Sequence, residues 1–285
     1  MVLAYKLFKE NYDFIINDLA HVVPWPSAPI LSKKIVFFRH LHARTLPGQV
    51  NPLLAYVLSN IEKTYHIIYR KSIFVTESKT SKYDLINLGI SERRIFLIPP
   101  GVDKGLFKPT KKTDYPSIIY FRGIKKYKRP QEALLLFKEI IKEIPNVKLY
   151  VVSTGPEINN LLQLTKELNL ENYVTFTGRL SEKELAELCA SSWLNVYTSV
   201  AEGWGYSVLE ASASGTPTVA YDVPGISDAI EDGLNGIKTK SREGLVEAAI
   251  RILKDPEQWW KSSLMVAEKY SWERTTELWK CLPVA

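Results

Sequence analysis

The feature that most constrains this chain is the alternation of short apolar runs with longer helical patterns along almost its whole length. The runs of strand length span residues 13–17, 35–39, 73–76, 95–98, 117–121, 148–153, 173–177, 194–198 and 218–221. Continuous rather than alternating apolar strands are typical of parallel sheets that are covered on both faces. The helical patterns that supply this cover span residues 52–69, 130–144, 157–168, 182–190 and 244–253. We therefore predict an α/β fold with two Rossmann-like parallel sheets.

A segment rich in proline, glycine and lysine separates the two predicted sheets. It reads PPGVDKGLFKPTKKTDYP, residues 99–116, and neither helical nor strand periodicity survives in it. We place the domain boundary inside this segment, with residues 1–108 in the first domain and residues 109–270 in the second. A helical pattern follows at about 271–285, with Ser271 as its predicted N-cap.

Charge is unevenly distributed along the chain, whose net charge is +6. Residues 1–110 contain 15 Lys and Arg against 8 Asp and Glu, and the remainder is nearly neutral. Such a basic first third predicts contact with phosphates, an acidic membrane surface or nucleic acid, or is simply a solvated surface. No Lys/Arg run with interleaved aromatic residues favours nucleic acid, so we do not expect a nucleic-acid partner.

Cysteine content and hydropathy indicate the compartment. Cys189 and Cys281 are the two cysteines, which form neither a disulfide framework nor a metal-ligand pattern. No apolar run approaches the roughly 18 residues that a membrane span needs, and the N-terminus lacks the apolar core of a signal peptide. We expect a cytoplasmic protein that contacts the membrane, if at all, peripherally.

Residues 194–221, LNVYTSVAEGWGYSVLEASASGTPTVAY, form the predicted binding site. A strand at 194–198 leads through a loop to a helix from about Tyr206 to Ser214, and Gly215 is placed to end that helix. Ligands of open parallel sheets bind at the carboxyl ends of the strands, which is where this loop lies.

Two glycines and two glutamates frame the loop. Gly203 and Gly205 allow the backbone to approach a ligand closely, and the amides of Gly205 to Val208 open a helix that can bind an anion. Glu202 precedes the helix and would reach the far end of a ligand whose phosphates lie on the helix N-terminus. Glu210, about one turn inside, would accept hydrogen bonds from a ribose diol. A nucleotide diphosphate that carries a sugar fits this order, whereas the alternative is a capped helix with two solvated glutamates.

This loop resembles the E-x7-E signature of retaining GT-B glycosyltransferases of family four, with Glu202 and Glu210 as the two glutamates. The resemblance covers about residues 13–280. The further matching segments are IPPGVDKGLF (98–107, interdomain segment), VVSTGPEINNLL (151–162, nucleotide loop), VTFTGRLSEKEL (174–185, base contact), NGIKT (235–239, strand after the donor site) and SWERTTELW (271–279, C-terminal helix crossing back to the first domain).

The resemblance implies a role for each matching residue. Glu202 would contact the hydroxyls of the donor sugar, Glu210 the ribose, and the backbone amides of Gly205 to Val208 the sugar and phosphate groups. The residues that it places at the donor are Arg122, Gly155, Leu180, Gly203, Gly205, Tyr206, Ser207, Val208 and Glu210. Glu202, Lys128 and His40 are the residues that it places in catalysis.

The family also neutralises the donor diphosphate with an arginine and a lysine after the first strand of the second domain. Here the segment reads IIYFRGIKKYKRP, and Lys128 matches the lysine. The arginine departs from the usual Gly-Arg order, because Arg122 precedes the glycine. Either Arg122 acts after a local backbone shift, or Lys125 or Arg129 replaces it. A leaving diphosphate needs cationic stabilisation where no metal is present, although a solvated basic turn is the alternative.

In the first domain, KKIVFFRHLHARTLPG places His40 at the end of a strand. The family has a histidine that faces the sugar at such a position, so His40 is the candidate and His42 the alternative. The H-x-H pair also suggests a metal, but no Cys, Asp or Glu lies nearby in the sequence to complete a ligand set. We therefore predict no metal site.

Set beside the family, the chain starts late, since YDFIINDLAH (12–21) resembles a strand well inside the usual first domain. The opening strand and the glycine-rich loop after it have no counterpart. A truncation, a naturally minimal enzyme, or a partner that supplies the remainder would account for this. An incomplete sheet exposes an edge and an apolar face, so we expect an oligomer, a membrane surface or a partner chain to cover them.

Two functions follow from these residues. The first is a metal-independent, retaining glycosyltransferase that needs no cofactor and moves a sugar from a nucleotide-diphosphate donor to an acceptor hydroxyl on a glycan or lipid carrier. The second is a non-catalytic nucleotide-sugar-binding or accessory subunit. A nicotinamide dehydrogenase is disfavoured because no G-x-G-x-x-G follows a strand.

Overall fold

A computed structural model describes residues 14–24, 34–46, 49–121 and 123–283, and every structural statement below concerns those residues. The chain forms two compact units, of which the first comprises residues up to Pro99 together with Glu273 onward. The second unit runs from Pro100 to Trp272. The division therefore lies at the start of the predicted linker rather than at 108/109. The physical reason is that Val102 and Phe107 are buried in a cluster of the second unit.

The first unit contains a parallel sheet of four strands in the order β1-β2-β3-β4. The strands are β1 (Ile15–Leu19), β2 (Lys34–Phe38), β3 (Ile73–Thr76) and β4 (Ile95–Leu97). The helices that connect them are α1 (Pro52–Glu62), α2 (Tyr65–Ile68) and α3 (Lys79–Asn87). The pattern that predicts one helix over 52–69 thus forms two, because the chain turns at Lys63 and Thr64.

Aromatic side chains form the core on one face of this sheet. Tyr65 and Tyr69 are fully buried beside Phe38 and Phe74, and their rings meet edge to face at centroid distances of 6.0 to 6.4 Å. The hydroxyl of Tyr69 accepts a hydrogen bond from the side chain of Asn17 at 2.9 Å. Buried tyrosine hydroxyls need such partners, so this hydrogen bond allows the buried ring of Tyr69 to lie beside the first strand.

Residues near the end of the chain complete a second apolar cluster of the first unit. Leu282 is buried with Ile35, Val75 and Ile98, and Trp279 packs 5.9 Å from the ring of Phe37. Trp279 belongs to α11 (Trp272–Lys280), the last helix. Residues from Glu273 onward therefore belong to the first unit because they bury apolar area against its sheet.

The second unit contains a parallel sheet of six strands in the order β10-β9-β8-β5-β6-β7. The strands are β5 (Ser117–Phe121), β6 (Lys148–Val152), β7 (Val174–Gly178), β8 (Leu194–Tyr197), β9 (Thr218–Tyr221) and β10 (Gly236–Thr239). Successive strands move outward from β5 through β6 and β7, and the chain then returns to place β8 on the other side of β5. The pairing of Ile118 with Leu194 marks this reversal, where ligands of doubly wound sheets bind.

Helices cover both faces of the second sheet. They are α4 (Pro130–Glu143), α5 (Ile158–Glu167), α6 (Glu182–Ser191), α7 (Tyr206–Ala213), α8 (Ile226–Ala229), α9 (Arg242–Lys254) and α10 (Glu257–Ala267). The largest cluster packs α4 and α9 against the strands through residues such as Phe137 and Ile252. The periodicity in the sequence does not predict helix α10. Strand β10 is likewise absent from the apolar runs, but the resemblance to family-four glycosyltransferases predicts a strand there. The predicted α/β fold with two Rossmann-like parallel sheets is confirmed.

Within the described part of the chain, no helix is both long and apolar enough to span a bilayer.

Candidate functional site

The loop between β8 and α7 lies at the carboxyl edge of the second sheet, as predicted. Gly205 is the N-cap of α7, and a Cβ at this position would lie 2.9 Å from the Cβ of Ala229. Ala229 belongs to the short helix α8, so only glycine lets the start of α7 pack so closely on it. The helix ends at Ala213 with Ser214 as its C-cap, and Gly215 follows with a φ of +69°, which confirms the predicted terminator.

A second loop, which follows β9, positions the backbone of Glu202. The amide of Glu202 donates to the carbonyl oxygen of Pro224 at 3.0 Å. Gly225 has a φ of +80°, and a Cβ there would lie only 2.2 Å from the carbonyl oxygen of Glu202. The backbone of Glu202 is therefore located by a contact that tolerates no side chain at residue 225.

The loop after β5 brings Lys128 to the same place. Residues Lys126–Lys128 form a 3-10 turn. The carbonyl oxygen of Tyr127 accepts from the amide of Val200 at 3.1 Å, and that of Lys128 accepts from the hydroxyl of Thr198 at 2.9 Å. These bonds join the loops that follow β5 and β8, the two strands at the reversal of the sheet.

Lys128 and Glu202 form an ion pair there, with side chains that are each 13% exposed. An opposite charge close to each group stabilises both charges where little water is present to do so. Burial raises the pKa of Tyr127. The carboxylate of Glu202 raises it further, because an ionised tyrosine would place a second negative charge beside it. The structure thus brings together two residues that lie 74 positions apart in the chain.

Arg129 has a backbone conformation that is unusual for a residue with a side chain, since its φ is +48°. Its Nε donates to the carbonyl oxygen of Thr198 at 2.9 Å, and its guanidinium lies 4.4 Å from the centre of the Tyr221 ring. The guanidinium therefore lies over the ring of Tyr221 in β9, and these contacts stabilise the left-handed conformation of Arg129, which is the N-cap residue of α4.

The sequence did not predict a set of three interacting side chains close to Arg129, namely Glu132, Arg242 and Tyr221. Glu132 accepts two hydrogen bonds from the guanidinium of Arg242, at 3.0 and 2.7 Å, and one from the hydroxyl of Tyr221 at 3.0 Å. The pair with Arg242 keeps the pKa of Glu132 below its ordinary value, and burial and Glu132 together raise the pKa of Tyr221. No local signal could have found this set, because Glu132 and Arg242 are 110 residues apart.

A cavity of about 310 Å³ lies beside α7 and belongs entirely to the second unit. Tyr206 and Glu210 line it from α7, and Glu182 and Leu185 from α6. Its remaining wall consists of Gly101, Val102, Asp103, Leu106, Phe107 and Trp272. The cavity therefore combines apolar and aromatic walls with carboxylates, a lining that suits a nucleoside whose ribose hydroxyls donate to an acidic side chain.

Other predicted donor residues have different surroundings. Gly155 approaches the loop after β5 so closely that a Cβ would lie 2.3 Å from the carbonyl oxygen of Ile124. Leu180 packs against a core cluster that includes Phe121 and Val152, rather than lining the cavity. Arg122 lies outside the described residues, so its part in the site stays a prediction.

The remaining predicted residues belong to the loop and to the start of α7. Gly203 is half-buried and lies against the Gly225 position, whereas Val208 is fully buried in the cluster that holds Trp204. The hydroxyl of Ser207 is buried and has no hydrogen-bond partner among the described residues. A buried polar group without a partner is costly, so a bound ligand or water that supplies one would stabilise this position.

In the first unit, His40 follows β2 and its ring lies 4.7 Å from that of His42. His42 is engaged on both ring nitrogens, with the carboxylate of Glu62 at 3.3 Å and the carbonyl oxygen of Ala20 at 3.2 Å. These contacts describe the surroundings of His42, and which of the two histidines faces a sugar stays a prediction. Over the described ranges, no group of three His, Cys, Asp or Glu side chains could hold a metal ion.

Comparisons with known proteins match this architecture. The family model described as "Glycosyl transferases group 1" matches residues 103–266. The chain is 36% identical to the N-acetyl-alpha-D-glucosaminyl L-malate synthase of Bacillus anthracis over 142 residues, 49% of this chain and 36% of that protein. It is 30% identical to the poly(glycerol-phosphate) alpha-glucosyltransferase of Bacillus subtilis over 217 residues, 72% of this chain and 31% of that protein. The chain thus spans about a third of the length of these two relatives.

Solved structures show the same fold at lower identity. TarM superposes with a TM-score of 0.81 at 19% identity, over 97% of this chain and 56% of TarM. Anabaena HepE in complex with UDP and glucose superposes with a TM-score of 0.70 at 20% identity, over 87% of this chain and 71% of HepE. The two-sheet fold of this chain therefore occurs in proteins of known structure.

Proposed function

Because this chain belongs to the group 1 glycosyltransferases, we propose that its second unit binds a nucleotide-diphosphate sugar and that the chain transfers the sugar to an acceptor hydroxyl. We further propose that transfer retains the configuration of the sugar, as in the family-four enzymes with an E-x7-E pattern. The observation that carries the proposal is the ion pair between Lys128 and Glu202, at the reversal of strand order and ahead of the N-terminus of α7.

Each charge of this pair has a partner in such a donor. The ammonium of Lys128 attracts the diphosphate, whose charge grows as the sugar departs. The carboxylate of Glu202 accepts hydrogen bonds from hydroxyls of the sugar, and the amides at the start of α7 hold phosphate oxygens. A donor placed in this way replaces the ion pair by two equivalent interactions, so the buried charges remain satisfied. Glu210, at the cavity, takes the ribose hydroxyls.

The bond changes balance without a further reactant. The bond between the anomeric carbon and the phosphate oxygen breaks, and its electron pair stays on the diphosphate. The acceptor oxygen bonds to the anomeric carbon on the same face, and its proton passes to the leaving phosphate oxygen. In this proposal no metal, cofactor or enzymic nucleophile takes part, and the role of His40 stays a prediction from the family resemblance.

The donor and acceptor classes are proposed from the comparisons and from the charge distribution along the chain. We propose a uridine nucleotide, because HepE was solved with UDP and glucose. We propose an acceptor on a glycan or lipid carrier, because the first 110 residues carry an excess of basic groups and the Bacillus subtilis relative is named for poly(glycerol-phosphate). A cytoplasmic location stays a prediction.

Calorimetric titration with UDP and with UDP-glucose tests the site residue by residue. We expect Lys128→Met to weaken both ligands by about tenfold to a hundredfold, since a hydrogen bond to a charged group contributes about 1.5–3 kcal/mol. Glu202→Gln should weaken UDP-glucose but not UDP, because it removes the sugar contact and also the carboxylate that competes for Lys128. Glu210→Gln should weaken both, through the ribose.

Lys126→Met is the matched control, because Lys126 is exposed in the same 3-10 turn. Unchanged binding by Lys128→Met, or equal losses in both lysine variants, would contradict the site. Release of UDP from UDP-glucose separates the two functions, because tight binding of the donor without transfer or hydrolysis identifies the accessory-subunit alternative.

A further inference from the structure

Helix α1 (Pro52–Glu62) has apolar side chains on the side that faces water. Leu53 is 75% exposed, Tyr56 69% and Val57 47%. These residues are spaced three and four positions apart, so they lie on one face. A surface helix normally presents polar residues to water, and a helix that is apolar on all sides is normally covered.

The opposite side of α1 is already attached to the first unit. Ile61 packs against the core cluster of that unit. Glu62 is 1% exposed, and its carboxylate accepts hydrogen bonds from the amides of His42 at 2.7 Å and Ala43 at 3.0 Å. The orientation of the helix is therefore determined by its inner side, and the outer apolar side is left for another occupant.

Exposed basic residues lie at the end of α1 and in the segment that follows it. Lys63 follows Tyr56 by seven residues, two helical turns, and so lies on the same side. Lys63, Arg70 and Lys71 are exposed, and none of them forms an ion pair with another residue in the ranges that the structure describes. Over residues 49–72 the acidic residue is Glu62, which is buried. The exposed surface of this segment therefore carries positive charge without negative charge.

We propose that the outer face of α1 docks on an anionic lipid surface. Apolar side chains on one side of an in-plane helix enter the boundary between headgroups and acyl chains, while flanking lysines and arginines bind the anionic headgroups. Tyrosine suits that boundary because its ring is apolar and its hydroxyl is polar.

A second copy of the chain fits this face less well. A two-fold contact would place the positively charged surfaces of residues 49–72 of the two copies against each other, and like charges repel. A stable dimer also buries about 800 Å² on each partner, from about 20 to 30 residues, whereas the exposed apolar side chains of α1 are only Leu53, Leu54, Tyr56 and Val57. The docking proposal does not depend on the proposed enzymatic function, because no residue of α1 takes part in it.

Co-sedimentation with lipid vesicles tests the proposal on the full chain. One set of vesicles is pure phosphatidylcholine, and the other contains one-third phosphatidylglycerol. We expect binding to the anionic vesicles only. The triple variant Leu53→Ser, Tyr56→Ser, Val57→Ser should lower this affinity by more than about tenfold, because three side chains no longer bury apolar area. Lys63→Glu should lower it by at least about fivefold.

The matched control replaces exposed apolar residues of the second unit, Leu162→Ser with Met265→Ser, which are 42% and 72% exposed. This variant should bind the anionic vesicles as the unchanged chain does. Circular dichroism verifies that each variant is folded. The proposal is wrong if the unchanged chain does not bind anionic vesicles, if the triple variant binds equally well, or if both vesicle types bind alike. It is also wrong if sedimentation velocity shows a dimer that the triple variant dissociates, since the face would then belong to a second copy.

Discussion

Substitution of Gly225 by alanine probes how the site holds Glu202. Gly225 has a φ of +80°, and a Cβ on it would lie 2.2 Å from the carbonyl oxygen of Glu202 and 2.7 Å from its carbonyl carbon. Both atoms belong to the backbone, so no side-chain rotation relieves the contact. The new methyl group must displace either the loop after β9 or the loop that carries Glu202.

The size of the effect follows from two separate costs. A left-handed conformation costs a residue with a Cβ about 1–2 kcal/mol. Real Cβ atoms essentially never approach another atom to less than 3.0 Å, so the loops must separate by at least 0.8 Å (3.0 minus 2.2). Overpacking of this kind costs about 1–3 kcal/mol. We therefore expect Gly225→Ala to lower the free energy of unfolding by about 2–5 kcal/mol.

Gly233→Ala separates the two costs. Gly233 has a similar φ of +82°, but a Cβ there meets nothing within 4 Å. It should lose only the conformational part, about 1–2 kcal/mol. Urea unfolding of both variants gives the difference, which we expect to be about 1–3 kcal/mol. The displacement of Glu202 should also reduce the stabilisation by UDP-glucose in a thermal-shift assay, in Gly225→Ala but not in Gly233→Ala. Equal unfolding free energies in the two variants would refute the steric argument.

The other two predictions concern ionisable groups of the second unit. Burial lowers the pKa of Lys112 to about 7, although its ammonium donates to the carbonyl oxygen of Ser192 and the hydroxyl of Thr216. Because the folded pKa lies below that of the unfolded chain, the folded state binds fewer protons between pH 7 and about 10, and the free energy of unfolding should rise with pH over that range. Lys112→Met should flatten this rise in urea unfolding at several pH values, and an unchanged slope would contradict it. For the pair of Glu132 and Arg242, Arg242→Ala should lower the free energy of unfolding at pH 7 by about 1 kcal/mol or less, because both side chains are partly exposed. The pKa of Glu132 is lowered in the fold, so this contribution is present above about pH 4.3 and is lost as the pH falls through the folded pKa. A loss that persists undiminished in acid would show that the guanidinium acts through packing instead.

Much of the second sheet could be predicted from its apolar runs. The strand at 117–121 and the strand at 218–221 have the predicted bounds, because continuous β-branched and aromatic residues are buried on both sides of a parallel sheet. The boundary between the units could not be placed in the same way. Val102 and Phe107 lie in a segment without periodicity, and only their burial against Ala213 and Ala267 assigns them to the second unit.

The face of α1 shows a second limit. Its sequence, PLLAYVLSNIE, is apolar on several sides, so periodicity alone does not tell which side packs inward. The buried carboxylate of Glu62, bonded to two amides of a loop distant in sequence, decides the orientation. The exposed set of Leu53, Tyr56 and Val57 is then a consequence of that contact.

By itself, the sequence determined the classes of element and the motif that carries the donor-site prediction. Glycine at residues 203, 205 and 215, a helix start and two glutamates are local features, and local chemistry is enough to place a loop at the end of a strand. Only the tertiary structure decided which charges meet. Lys128 reaches Glu202 because strand order reverses between β5 and β8, and Glu132 reaches Arg242 because α4 packs beside α9. Such pairs depend on the order of the strands in a sheet. Hydrogen bonding and packing among distant segments determine that order, so the spacing of residues along the chain does not predict it.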